Sequence, residues 1–148
     1  MKARKSLRKF KQKAVLALTT AAMIAGSVAV SSPASAASSP IAACGGGSYH
    51  EIDHQPLPGY GTIYLMYDGS TDCVVTWKTA YVGTPTLVGA YVWRESPSAE
   101  DADADNYSYY AGPVKLNAPG TCIMWGGYAY SPSGSAYSAW RSPWEHCL

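Results

Sequence analysis

The chain has 148 residues, 47% of them hydrophobic and 14% charged, with a formal net charge of +1. Seven of its eleven basic residues (Lys2, Arg4, Lys5, Arg8, Lys9, Lys11 and Lys13) crowd the N-terminus. The rest of the chain keeps four cations, Lys78, Arg94, Lys115 and Arg141, against ten acids, a net charge near −6. A body so short of cations has no electrostatic footprint for nucleic acid or anionic lipid, which excludes nucleic-acid binding.

The basic head is followed by an uncharged Ala/Val/Leu-rich run, Ala14 to Val30, and by the small-residue site Ala34-Ser35-Ala36. That order predicts a secretory signal peptide over residues 1–36 and a mature chain beginning at Ala37. Ile41-Ala42-Ala43-Cys44 imitates a lipoprotein cleavage box, but it stands well beyond the apolar run, and lipidation would leave an odd cysteine. No second apolar run is long enough to span a bilayer, so no membrane attachment is expected after cleavage. Residues 37–43 read as a small, Pro-containing flexible lead-in, and residues 44–148 as a single domain of ordinary size.

His50-Glu51-Ile52-Asp53-His54 is a literal H-E-x-x-H. On a helix this spacing puts two imidazoles on one face for zinc, with the Glu as general base. Gly45-Gly46-Gly47 upstream and Pro56 and Pro58 downstream oppose a helix. As a strand, the segment would place His50 and His54 on one face and Glu51 on the other. His146, the remaining candidate for a third ligand, adjoins Cys147. The plainer reading is an exposed polar stretch.

Short strands then follow, broken by Gly, Pro, Asp and Asn. The candidates are Thr62–Tyr67, Cys73–Thr79, Leu87–Arg94, Tyr107–Ala111, Val114–Asn117, Cys122–Trp125 and Ser138–Arg141. Ile63, Leu65 and Tyr67 alternate onto one face, as do Cys73, Val75 and Trp77, and Asp68-Gly69-Ser70 between them is a hairpin turn signal. Between two of these strands lies an acidic segment, Glu100 to Asn106. Asp101, Asp103 and Asp105 resemble the start of a calcium loop, yet the position of its final bidentate Glu is Gly112. A solvated acidic loop is the simpler expectation.

Gly61 to Val74 and Gly112 to Ile123 echo one another: Gly, β-branched residue, Leu, turn, Cys, β-branched residue. No stretch sustains helical periodicity. The expected fold is all-β, a small disulfide-bonded antiparallel sandwich or barrel built from two similar hairpin halves. Four cysteines in an oxidising compartment imply two disulfides. Cys44–Cys73 with Cys122–Cys147 would give one staple per half; Cys44–Cys147 with Cys73–Cys122 is the rival. All five Trp and all twelve Tyr follow residue 48. They suit either a β core with polar tips or a stacking surface for sugars or polymers. No nucleophile motif or phosphate-binding Gly loop is present, so no catalytic residue and no cofactor is assigned.

The run Asp105 to Trp125, with Tyr110-Ala111-Gly112-Pro113-Val114 at its centre, resembles the spore-associated protein A family of filamentous actinobacteria. So do Ile63 to Tyr67 followed by Cys73 to Thr76, the opening Cys44-Gly45 with Tyr49 and Ile52, and the closing Glu145-His146-Cys147. The acidic insert and His50-Glu51 depart from the family pattern. The resemblance implies a secreted, non-enzymatic protein that accumulates at the cell or spore surface by binding or packing against a surface component. It transfers the four cysteines as framework positions and no catalytic residue. The alternatives are a small extracellular toxin or hydrolase inhibitor, with Glu100 to Tyr110 as an inserting loop, and a zinc hydrolase using His50, Glu51 and His54.

Overall fold

β-branched and aromatic residues spaced two apart, punctuated by turn residues, dictate strands here rather than helices. In the computed structural model, which describes residues 37–147, they form α1 (Pro40–Ala43), β1 (His50–Leu57), β2 (Gly61–Tyr67), β3 (Thr71–Lys78), β4 (Thr86–Arg94), β5 (Ala99–Tyr107), β6 (Tyr110–Asn117), β7 (Ile123–Tyr130) and β8 (Tyr137–Arg141). The proposed signal peptide lies outside the described residues. Within the lead-in, expected to be flexible, Ser39 caps a single helical turn by accepting a hydrogen bond from the Ala42 amide at 3.1 Å.

The strands make two antiparallel four-stranded sheets, ordered β1-β2-β3-β6 (sheet A) and β5-β4-β7-β8 (sheet B). The all-β expectation holds, and the sheets stay separate, as in a sandwich, rather than closing into a barrel. Alternation sends Ile63, Leu65 and Val74 from sheet A inward to meet Val88, Val92, Ile123 and Trp125 from sheet B, all fully buried. Burying side chains of this size contributes roughly 1.5–3 kcal/mol apiece.

The two-hairpin idea holds for one half. β2 and β3 pair as a hairpin around Asp68-Gly69-Ser70, where Asp68 Oδ1 accepts from the amides of Ser70 and Thr71 at 2.9 and 2.8 Å. These bonds favour the ionised form and lower the Asp68 pKa. The second half is different: β6 joins β3 in sheet A while β7 joins β4 in sheet B, so the echoing segment crosses between sheets. A turn signature fixes a local reversal but not which neighbour each strand selects.

The disulfides are Cys44–Cys73 and Cys122–Cys147, closing 29 and 25 residues. Loops of that length give each bond roughly 3.5 kcal/mol by the chain-entropy argument. Cys44–Cys73 lies on the outer face of sheet A, buried with Met66 and Val75. Cys122–Cys147 ties the C-terminal segment to the start of β7.

The acidic segment is not a loop. It is β5, paired with β4 over its whole length from Thr86↔Tyr107 to Arg94↔Ala99. Alternation points Asp101 and Asp103 inward at one open edge of the sandwich, where β6 presents unpaired amides. The Lys115 amide donates to Asp101 Oδ2 at 2.7 Å, and the Gly112 amide to Asp103 Oδ2 at 2.7 Å. Tyr107 Oη donates to Asp103 Oδ1 at 2.6 Å, which pushes the phenol pKa up to about 12. Asp105 accepts from the amide of its own neighbour, Asn106. Asp101 and Asp103, expected in a solvated acidic loop, thus sit on a strand and close a sheet edge. Asp103→Ala removes two hydrogen bonds to a charged acceptor and should cost about 3 kcal/mol in a denaturant titration. Asp105→Ala should stay within about 0.5 kcal/mol of wild type, and added calcium should leave the midpoint unchanged.

Candidate functional site

Five aromatic side chains line the outer face of sheet B. Trp93 and Tyr91 come from β4, Tyr128 and Tyr130 from β7, and Tyr137 from β8. The register places Tyr128 opposite Gly89 and Tyr91 opposite Gly126, with Tyr130 opposite Tyr137. The glycines are a packing requirement. A Cβ on Gly89 would fall 2.4 Å from Tyr128 Cζ, and one on Gly126 would fall 2.6 Å from Tyr91 Cε2. Each tyrosine ring therefore reaches across the strand beside it and covers the glycine backbone.

Ring centroids are 4.7 Å apart for Tyr91 and Trp93, 5.8 Å for Tyr128 and Tyr130, and 4.8 Å for the nearly parallel pair Tyr130 and Tyr137. Tyr91 Oη donates to the Trp140 carbonyl at 3.0 Å, and Trp93 Nε1 to Glu100. Burial raises the pKa of Tyr91 and of Tyr128, so both phenols stay neutral at ordinary pH. At one end a shallow cleft of about 230 Å³ runs between Trp93, Met124, Arg141 and Trp144. At the other, a cleft of about 290 Å³ lies between Leu87, Tyr130 and the Ser131–Gly134 turn. Tyr137 and Trp144 are 60% and 44% exposed. The rings meet edge-on at Tyr128 and Tyr130 and stacked at Tyr130 and Tyr137, an aromatic row with charged and amide groups at its margin that suits contact with an extended polymer.

The outer face of sheet A is occupied by its own chain. Cys44, at the end of α1, is bonded to Cys73 there, Lys115 Nζ donates to the Cys44 carbonyl at 2.6 Å, and the same ammonium sits 4.9 Å over the Tyr49 ring. Trp77 and Tyr110 stack at 4.9 Å beside this cover.

The H-E-x-x-H residues fall on β1, an edge strand, which tolerates Pro56 because its outer amides need no partner. A bulge at Ile52 breaks the alternation, with Glu51 opposite Met66 and Asp53 opposite Leu65. One extra residue moves everything beyond it to the other face. His54 therefore joins Glu51, its Nδ1 2.8 Å from Glu51 Oε1, while His50 lies on the opposite face beside Tyr67. This reverses the grouping a regular strand predicts. His50 and His54 cannot share a zinc ion.

A different polar cluster forms at the second open edge. His146 Nε2 lies 3.1 Å from Asp53 Oδ2 and 3.9 Å from Glu145 Oε1. Among the described residues this is the group whose His and carboxylate atoms, one from each side chain, all lie within 4.8 Å of one another. The sequence could not bring Asp53 and His146 together, since they stand 93 residues apart. The Cys122–Cys147 bond, which argued against a ligand at His146, is what holds that histidine in place. Nearby Asp72 on β3 is 3% exposed, and its Oδ1 has no hydrogen-bond partner. Burial pushes its pKa up to about 7, against the opposing pull of His146; Asp68 adds to the rise.

Over 118 residues the chain is 36% identical to spore-associated protein A of Streptomyces coelicolor, covering 74% of this chain and 75% of that protein. The chain belongs to the spore-associated protein A family. No family model matches the chain, and no solved structure matches it. The relative's name ties that protein to spores and states no activity. Family membership and two disulfides fit an extracellular or spore-surface location for this family member.

Asp72 makes stability depend on pH in an unusual direction. Its folded pKa lies above that of an unfolded carboxyl, so the folded state holds more protons between about pH 4 and pH 7, and stability falls as pH rises through that window. Asp72→Asn should flatten this slope and gain on the order of 3 kcal/mol over wild type at pH 8 relative to pH 4, measured by urea unfolding with chelator present.

Proposed function

We propose that this protein is exported by the signal peptide over residues 1–36 and retained at the cell or spore surface as a non-enzymatic binding or structural protein. Its partner is a surface polymer, and the aromatic face of sheet B is the contact. The observation that carries this reading is the pairing of Tyr128 over Gly89 and Tyr91 over Gly126, which keeps these rings on the outer face of the sheet. A ring serving only the core would turn inward, as Trp125 does at 0% exposure. Aromatic side chains supply large contact area with few rotatable bonds, so little entropy is lost on binding. The net negative charge of the mature chain favours an uncharged or cationic partner over a polyanion.

The non-enzymatic part of the proposal draws on the separation of His50 from Glu51 and His54 and on the engagement of Asp101 and Asp103 with backbone amides. The test is retention on washed hyphae or spores. A variant carrying Trp93→Ala, Tyr130→Ala and Tyr137→Ala loses stacking contributions of roughly 0.5–1.5 kcal/mol per ring, so retention should fall at least about tenfold. His50→Ala, Glu51→Ala and His54→Ala together should leave it unchanged. Equal retention of the aromatic variant and wild type would overturn the proposal.

A further inference from the structure

At the edge where β1 of sheet A faces the C-terminal segment of sheet B, two carboxylates converge on a single histidine. Asp53 and Glu145 lie 3.1 and 3.9 Å from His146 Nε2, and all three side chains offer ligand atoms within 4.8 Å of one another. One ion pair between His146 and Asp53 would account for one carboxylate, not for two. The four Lys and Arg side chains among the described residues are engaged elsewhere. Lys78 Nζ donates to the carbonyls of Thr84 and Tyr107, Lys115 Nζ to that of Cys44, and Arg94 to those of Pro97 and Asn117, while Arg141 lines the cleft beside Trp144. Two carboxylates therefore meet here with no Lys or Arg of the described residues beside them.

We propose that Asp53, Glu145 and His146 bind a divalent transition-metal cation, with zinc the best match, and that this ion clips the two sheets together at their open edge. The donor set of one imidazole nitrogen and two carboxylate oxygens suits zinc and its neighbours, whereas calcium seeks oxygen alone. Bonds of about 2.0–2.1 Å in a tetrahedral arrangement put ligand atoms roughly 3.3 Å apart. The two separations bracket that value, so the side chains close on an ion with shifts of about half an ångström.

The ligands are also held. Asp53 Oδ1 accepts from the His54 amide at 2.8 Å and Glu145 Oε1 from Trp125 Nε1 at 2.9 Å, the kind of outer contact that orients a metal-binding carboxylate. Glu145 exchanges two backbone hydrogen bonds with Ile123, of 2.8 and 2.9 Å, and His146 sits between that bridge and Cys147 with φ +49°. Three protein ligands leave the fourth position of a tetrahedral ion to water. This site shares no residue with the aromatic face, and neither reading rests on the other.

The experiment is titration of chelator-stripped, disulfide-intact protein with zinc(II), read by native mass spectrometry, calorimetry and thermal unfolding. Wild type should bind one ion per chain and unfold at higher temperature with zinc than without. Asp53→Asn and His146→Asn should each weaken binding at least about tenfold and remove the thermal shift. The double variant His50→Asn, His54→Asn should bind as wild type. Where His146→Asn fails to pair Cys122 with Cys147, Asp53→Asn, remote from that disulfide, decides alone. Absence of stoichiometric binding, equal binding by Asp53→Asn, or loss of binding in the His50/His54 variant would each overturn the proposal.

Discussion

Two sheets can enclose this small core only if their open edges are closed by something other than further strands. The described residues are few, and a sandwich of four plus four strands leaves an edge of each sheet exposed on either side. Unpaired edge amides cost stability and invite association with other chains. On one side the answer is β5, whose Asp101 and Asp103 accept hydrogen bonds from β6 amides that no strand reaches. A carboxylate is a strong acceptor for a peptide N–H, so two side chains do the work of a missing ladder. The inward pairing of Val88 and Val92 with Leu65 and Val74 depends on this closure, because it sets how β5 and β6 meet.

The two outer faces have different fates for a local chemical reason. Sheet A carries Cys73 on its outer face, and the bond to Cys44 draws α1 and the Gly45–Gly47 segment across it. Sheet B carries no cysteine within its strands. Its outer surface holds rings that glycines allow to cross the neighbouring strands, with solvent-exposed Tyr137 and Trp144 at the margin. One sheet is thus covered by its own chain and the other by its own aromatic side chains.

The second open edge is polar rather than paired. Asp53, Glu145 and His146 converge there because the bulge at Ile52 turns Asp53 toward the C-terminal segment while Cys122–Cys147 fixes that segment against β7. Neither device alone would form the cluster. A regular β1 would point Asp53 away, and a free C-terminus would fray.

The sequence by itself determined the all-β class, the hairpin at Asp68–Ser70 and the strand alternation that groups Ile63 with Leu65 and Cys73 with Val75. These follow from the two-residue period of a strand and from turn chemistry, both local properties of the chain. The family was legible from Tyr110–Val114 and the cysteine framework. The cysteine spacing left both pairings open, with one staple per half among them. Only the tertiary structure decided that β6 and β7 part company, since a turn signature specifies a reversal and not a neighbour. It alone showed that the acidic segment is a strand, because β-propensity counts aspartate as a loop former until a partner amide is supplied. It alone separated His50 from His54, through one bulged residue with no sequence signature. The aromatic row and the Asp53–His146 contact were invisible for the same reason: each is assembled from side chains on different strands, brought together by register and sheet order.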